Sequence, residues 1–196
     1  KGKQRKLLLQ GNRNGYFYVL DRTTGEFLMA KPFVKKLTWS SGIDKDGVPI
    51  LLPNNWPTKE GTLTCPSVRG ATNWYASAFN PQTRLFYVMA AEDCSIYTIG
   101  ALGFAGYRNP KDPGLRYLRA LDMETGGVVW EKPMTGSQEA NYTGVLSTDG
   151  GLVFHGETGG RFAAVDGKTG KTLWTFPANE FPRASPMTYA IDGRQY

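Results

Sequence analysis

The chain has 196 residues, 40% hydrophobic and 13% aromatic, enough to build a folded core in one or two domains. Its net charge of +6 is most visible at Lys1, Lys3, Arg5 and Lys6 and is elsewhere interspersed with acids; no recognition module accompanies it, which argues against a nucleic-acid binder and leaves a solvated surface suited to an acidic partner. No apolar run nears the roughly 18 residues of a membrane-spanning helix, and 24 glycines with 12 prolines, scattered throughout, predict an all-β protein with many tight turns.

The chain opens without an initiator Met or a signal-like segment and enters a strand at residues 6–10, so its start reads as cut. A strand at 16–20 follows, then the turn Asp21-Arg22-Thr23-Thr24-Gly25 and a strand at 26–29. Residues 35–72 form a long insertion. A second unit begins near Asn73-Trp74-Tyr75-Ala76, turns at Asn80-Pro81-Gln82-Thr83 and continues in a strand at 84–89. Residues 91–115 make another detour before a strand at 116–121. The third unit has four strands, at 144–148, 152–156, 161–166 and 171–176, with turns rich in Asp and Gly between them. Such short runs between Gly/Asp turns are hairpin signals, and nothing long shows helical period. Residues 182–196 read as the start of a further unit, and the chain stops there as another strand begins.

Three of these units share a phrase. Val19-Leu20-Asp21-Arg22-Thr23-Thr24-Gly25 runs to Met29, Ala120-Leu121-Asp122-Met123-Glu124-Thr125-Gly126 to Trp130, and Ala164-Val165-Asp166-Gly167-Lys168-Thr169-Gly170 to Trp174. Asp122 and Asp166 are 44 residues apart, within the period of about 40–50 expected of four-stranded propeller blades. The fold predicted is therefore a β-propeller, with blades over 6–34, 73–134 and 144–178 and the start of another at 182–196. That is about three blades, too few to close a ring, and a ligand site is expected where blades meet. The Asp and Thr side chains tie the turn's own backbone while Gly takes the positive φ it needs. The indole then reaches across to bury its flat surface on the next blade. These turns are structural. The two insertions are long enough to cover a site.

Other residues carry little chemistry by themselves. His155 lies on a strand without a partner His or Cys and reads as packed. Asp44, Asp46 and Gly47 hint at a calcium loop but lack further ligands and read as a turn. Cys65 and Cys94, 29 residues apart, make no metal motif; they are either two buried thiols or one disulfide.

The docking turns, together with Gln10-Gly11-Asn12-Arg13-Asn14-Gly15-Tyr16-Phe17-Tyr18-Val19-Leu20-Asp21-Arg22-Thr23, Gly70-Ala71-Thr72-Asn73-Trp74 and Asn80-Pro81-Gln82-Thr83-Arg84-Leu85-Phe86-Tyr87, resemble the pyrroloquinoline quinone (PQQ) dehydrogenases of the methanol and ethanol type. The resemblance covers nearly the whole chain and implies about three blades of an eight-bladed propeller, from its carboxyl-side half. It implies PQQ and Ca2+ as cofactors, a primary alcohol as substrate, hydride transfer to the quinone, and a cytochrome c or quinone as electron acceptor. It assigns Arg13 to the quinone oxygens, since a guanidinium offers permanent charge and several donors. It assigns Asn73 to the cofactor through its carboxamide and places Trp74 in the same chamber. It also pairs Cys65 with Cys94 as a disulfide, which implies an exported, periplasmic protein.

The resemblance places the calcium ligands and the catalytic Asp before Lys1, so no catalytic or metal-binding residue is expected here, and this stretch alone is expected to be inactive. Tyr142 stands where the family commonly has Trp, which alters the expected substrate chamber. Two other readings share the docking turns: a non-catalytic scaffold of the outer-membrane assembly type and a membrane-anchored sugar or polyol dehydrogenase. A homodimer of the full-length protein is a further expectation.

Overall fold

The structure is a computed structural model that describes residues 4–101, 103–134, 143–157 and 159–196; Tyr142 lies outside the described residues. Every regular element described is a strand.

The first blade is the antiparallel sheet of β1 (Leu7–Gly11), β2 (Tyr16–Asp21) and β3 (Phe27–Pro32). The second comprises β7 (Ala78–Asn80), β8 (Leu85–Glu92), β11 (Leu115–Asp122) and β12 (Val128–Pro133), in the order β12-β11-β8-β7. The third runs in sequence order through β13 (Val145–Ser147), β14 (Leu152–Glu157), β15 (Arg161–Asp166) and β16 (Thr172–Pro177). A short hairpin of β17 (Ala190–Ile191) and β18 (Arg194–Gln195) follows.

The repeated turn folds through its own side chains. Asp122 Oδ1 accepts the N–H of Glu124 and Thr125 and the Thr125 hydroxyl. Asp166 does the same for Lys168 and Thr169, and Asp21 binds Thr23 through both groups. In all three copies the register slips just before the Asp, between Val19 and Leu20, Ala120 and Leu121, and Ala164 and Val165. A bulge at this point turns the strand into the loop.

Trp130 docks as the repeat predicts, whereas Trp174 is half exposed. Trp130 leaves β12 and lies flat on Gly170 of the third blade, where a Cβ would stand 2.7 Å from the indole. In the first blade Lys31 and Met29 share that place, a Cβ at Gly126 of the second standing 2.7 Å from Lys31 Cγ and 3.3 Å from Met29 Cε. Phe17 and Val19 meet Phe86, Val88 and Leu121 in one interblade core, with the Phe17 and Phe86 rings 5.0 Å apart. Tyr87, Leu118 and Ala120 meet Val153 and Val165 in the next. Each large side chain so buried contributes about 1.5–3 kcal/mol. Polar ties supplement this packing: Asn80 is buried and its Nδ2 donates to the Thr148 carbonyl at 2.9 Å.

The insertions are folded. Residues 35–72 contain the hairpin of β4 (Ser40–Ile43) and β5 (Pro49–Leu51), then β6 (Thr62–Thr64). The detour at 91–115 is the hairpin of β9 (Ser95–Gly100) and β10 (Gly103–Arg108). β6 pairs with β9, so the two insertions form one sheet, β10-β9-β6. Buried charges knit the first insertion to the second blade. Arg119, fully buried, donates to Glu92 and to the Phe33 carbonyl at 2.6 Å each, and Glu92 accepts the N–H of Lys35 and of Lys36.

Residues 73–76 are loop, and the first strand of the second blade begins at Ala78. Asn73 Oδ1 accepts the Trp74 N–H, a local bond that competes with strand pairing. His155 is fully buried on β14 with Nδ1 on the Gly156 carbonyl at 3.0 Å, and burial pushes its pKa down. Asp44 Oδ1 accepts the N–H of Asp46 and of Val48, which makes this segment the expected turn.

Candidate cofactor site

Arg13 stands at the tip of the turn joining β1 to β2. The two flanking asparagines bind backbone, Asn12 Oδ1 taking the Asn14 N–H and Asn14 Oδ1 the Tyr16 N–H, both at 3.0 Å. With both neighbours engaged inward, Arg13 is left exposed. Its Nη2 donates to the Val68 carbonyl at 2.6 Å, and its own carbonyl accepts the Ala71 N–H at 2.8 Å.

The partner loop, residues 65–73, is shaped for this contact. Gly70 has φ of 82°, and a Cβ there would lie 2.8 Å from Arg13 Cβ, so glycine is required by both backbone and space. Cys65 and Cys94 form a disulfide that ties the start of the loop to the residue before β9. At the far end Asn73 Nδ2 donates to the Arg69 carbonyl at 2.7 Å. Arg13 and Asn73 thus hold adjacent carbonyls of one loop, those of Val68 and Arg69.

Trp74 behaves differently. Its side chain is 76% exposed and stacks on Tyr75, the ring centroids 4.1 Å apart. A hollow of about 360 Å³ opens beside Arg13, walled by Trp39, Pro66, Val68, Gly70 and Tyr97 among others. Neither Asn73 nor Trp74 lines it. Trp39 donates its Nε1–H to the Asn14 carbonyl at 2.9 Å, which fixes the indole against the Arg13 turn. Burial pushes the Tyr97 phenol up, and the positive charge of Arg13 pulls it back. Trp39, Val68 and Tyr97 lie in the two insertions. Their only sequence signal is the length of those insertions and, for Tyr97, a run rich in β-branched and aromatic residues, Ser95-Ile96-Tyr97-Thr98-Ile99.

The donor set fits a flat, oxygen-rich anion such as PQQ. A guanidinium carries five N–H groups, and Arg13 uses one nitrogen on Val68 among the described residues. Among the described residues no group of three or more His, Cys, Asp or Glu is placed to hold a metal ion.

The blades and the docked Trp130 make the chain part of a β-propeller, similar to that of the PQQ dehydrogenases. Residues 117–196 match the family model described as the glucose/ethanol/alcohol dehydrogenase β-propeller domain. The chain is related over its full length to the quinoprotein alcohol dehydrogenases. It is 38% identical to quinoprotein alcohol dehydrogenase PedH of Pseudomonas putida, over 100% of this chain and 35% of that protein. It superposes on the quinohemoprotein alcohol dehydrogenase of Comamonas testosteroni with a TM-score of 0.86 at 32% identity, over 99% of this chain and 31% of the other. A europium-containing methanol dehydrogenase matches with a TM-score of 0.82 at 34% identity, over 99% of this chain and 36% of that one. The chain therefore spans about a third of the length of these relatives.

Proposed function

We propose that this chain is part of a PQQ- and calcium-dependent alcohol dehydrogenase that oxidises a primary alcohol to the aldehyde in the periplasm and passes electrons to a cytochrome c or quinone. PQQ, when bound, supplies the two-electron acceptor. Arg13 and Asn73 hold it, Arg13 by setting positive charge against oxygens that gain electron density, Asn73 through the second N–H of a carboxamide whose other groups bind Arg69 and Trp74. Trp74 offers an open aromatic face beside Asn73. The calcium ligands and the proton-accepting carboxylate come from outside residues 1–196.

The observation that carries this reading is the grip of Arg13 and Asn73 on neighbouring carbonyls of a single loop, in a chain whose relatives are named as alcohol dehydrogenases. Those names favour it over a non-catalytic scaffold or a sugar dehydrogenase. The likeness to a europium-containing enzyme favours a second reading of the metal alone, with a lanthanide in place of calcium.

The test is reconstitution of the full-length protein with PQQ and either Ca2+ or a lanthanide, followed by dye-linked oxidation of primary alcohols and fluorescence titration of PQQ binding. PQQ-dependent turnover is expected, and Arg13→Ala should raise the Kd for PQQ about 10- to 100-fold, the range of a hydrogen bond from a charged donor, roughly 1.5–3 kcal/mol. Failure of the wild-type protein to bind PQQ with either metal overturns the reading.

A further inference from the structure

We infer that the β9–β10 hairpin is a positioning element for Arg13, acting through Ser95 and Gly106 on Val68; this rests on the reading of Arg13 as a cofactor-binding residue.

Val68 is held on three sides. Its carbonyl accepts Arg13 Nη2 at 2.6 Å, and its N–H donates to Ser95 Oγ at 3.0 Å. Its side chain lies over Gly106 of β10, where a Cβ would stand 3.1 Å from Val68 Cβ. Both polar backbone groups of Val68 are therefore taken by side chains from distant parts of the chain, one from the Arg13 turn and one from the hairpin.

Ser95 is 1% exposed. A hydroxyl so deeply buried is costly without a hydrogen-bond partner, and alanine would fill the space without that cost. The use made of the oxygen is to receive the Val68 N–H. Ser95 also follows Cys94, the disulfide partner of Cys65, and pairs with Thr64 across β9 and β6. One end of β9 thus fixes the loop covalently, through backbone pairing and through a side chain, all within a few residues of Val68.

The consequence is geometric. Arg13 is exposed and has many rotamers; its bond to the Val68 carbonyl selects among them. That carbonyl is a fixed acceptor only while Ser95 and Gly106 hold the residue that carries it. Preorganisation of a charged donor reduces the ordering cost of binding an anion. Ser95 touches no ligand in this scheme and acts through another residue.

The experiment uses the full-length protein and measures the Kd for PQQ by fluorescence titration in Ser95→Ala, Arg13→Ala and the double variant, with the melting temperature of each. Ser95→Ala should weaken PQQ binding about tenfold in the presence of Arg13 and have no further effect once Arg13 is alanine. A residue that only stabilises the fold would instead weaken binding equally in both backgrounds, and that result overturns the inference. An unchanged Kd in Ser95→Ala while Arg13→Ala binds poorly also overturns it and leaves the cofactor reading intact. An unchanged Kd in Arg13→Ala removes both. Should Ser95→Ala fail to fold, Gly106→Ala probes the same support from β10 and should show the same dependence on Arg13.

Discussion

Trp130 and Gly167 belong to different blades, and the indole Nε1–H of the first donates to the carbonyl of the second at 3.0 Å. Tyr87 Oη donates to the same carbonyl at 3.0 Å, so two strands of the second blade converge on one acceptor in the third. The docking contact is thus both a flat apolar surface and a directed hydrogen bond. Trp130→Phe should cost about 1 kcal/mol, the value of the lost bond. Trp130→Ala should cost about 3 kcal/mol, because the cavity over Gly170 is added. Urea unfolding of the full-length protein measures both. Equal losses would mean that the ring surface contributes nothing.

The disulfide closes a loop between residues 29 apart. Chain entropy puts the stabilisation from such a closure at about 3–4 kcal/mol. Replacing both cysteines with serine should lower stability by that order and loosen the loop that holds Arg13. Thiol labelling of the unfolded, unreduced protein should find neither Cys65 nor Cys94 reactive. Labelling of either one would contradict the bond.

Arg119 and Glu92 form a buried pair. Removing one member of such a pair leaves the other charge without its partner and costs about 3–5 kcal/mol. Arg119→Leu should therefore destabilise more than Arg84→Leu, whose ion pair with Glu124 is exposed and is worth about 0–1 kcal/mol. The two melting temperatures compare them directly.

The docking turns make stability depend on acid pH. The side-chain hydrogen bond from Thr23 holds the Asp21 carboxyl below its usual range, and that from Thr169 does so for Asp166. At Asp122 desolvation raises the pKa, but the backbone and hydroxyl bonds of Thr125 outweigh it and the net shift is downward. A depressed folded-state pKa gives stability that is complete above the unfolded value, about 3.9, and is lost as pH falls through the lower folded one. Replacing Thr125 and Thr169 with valine should therefore lower stability most near neutral pH, where the whole contribution is present, and progressively less as the pH falls through the carboxylate range. Urea unfolding at neutral and at acid pH measures this, and a loss of equal size at both would show that these bonds do not favour the ionised form.

The blades were legible because their instructions are local: an Asp, a Thr and a Gly within five residues fold their own turn, and the tryptophan follows at fixed distance. The insertions were not, because β6 finds its partner in β9 across the sequence, with Thr64 opposite Ser95. Pairing at that separation leaves no periodic mark. Arg13 and Asn73 were visible as residues through family resemblance alone. Val68, which joins the site to its support, was invisible, since it acts through a backbone carbonyl that every residue possesses.

All six residues of β16 are exposed, among them Leu173, Trp174 and Phe176, each about half accessible to solvent. An outer strand with an open row of backbone donors and acceptors and a greasy surface is a template for self-association. A preparation of these 196 residues alone should therefore grow in particle size as its concentration rises, and charged substitutions at positions 173 and 176 should restore a constant hydrodynamic radius.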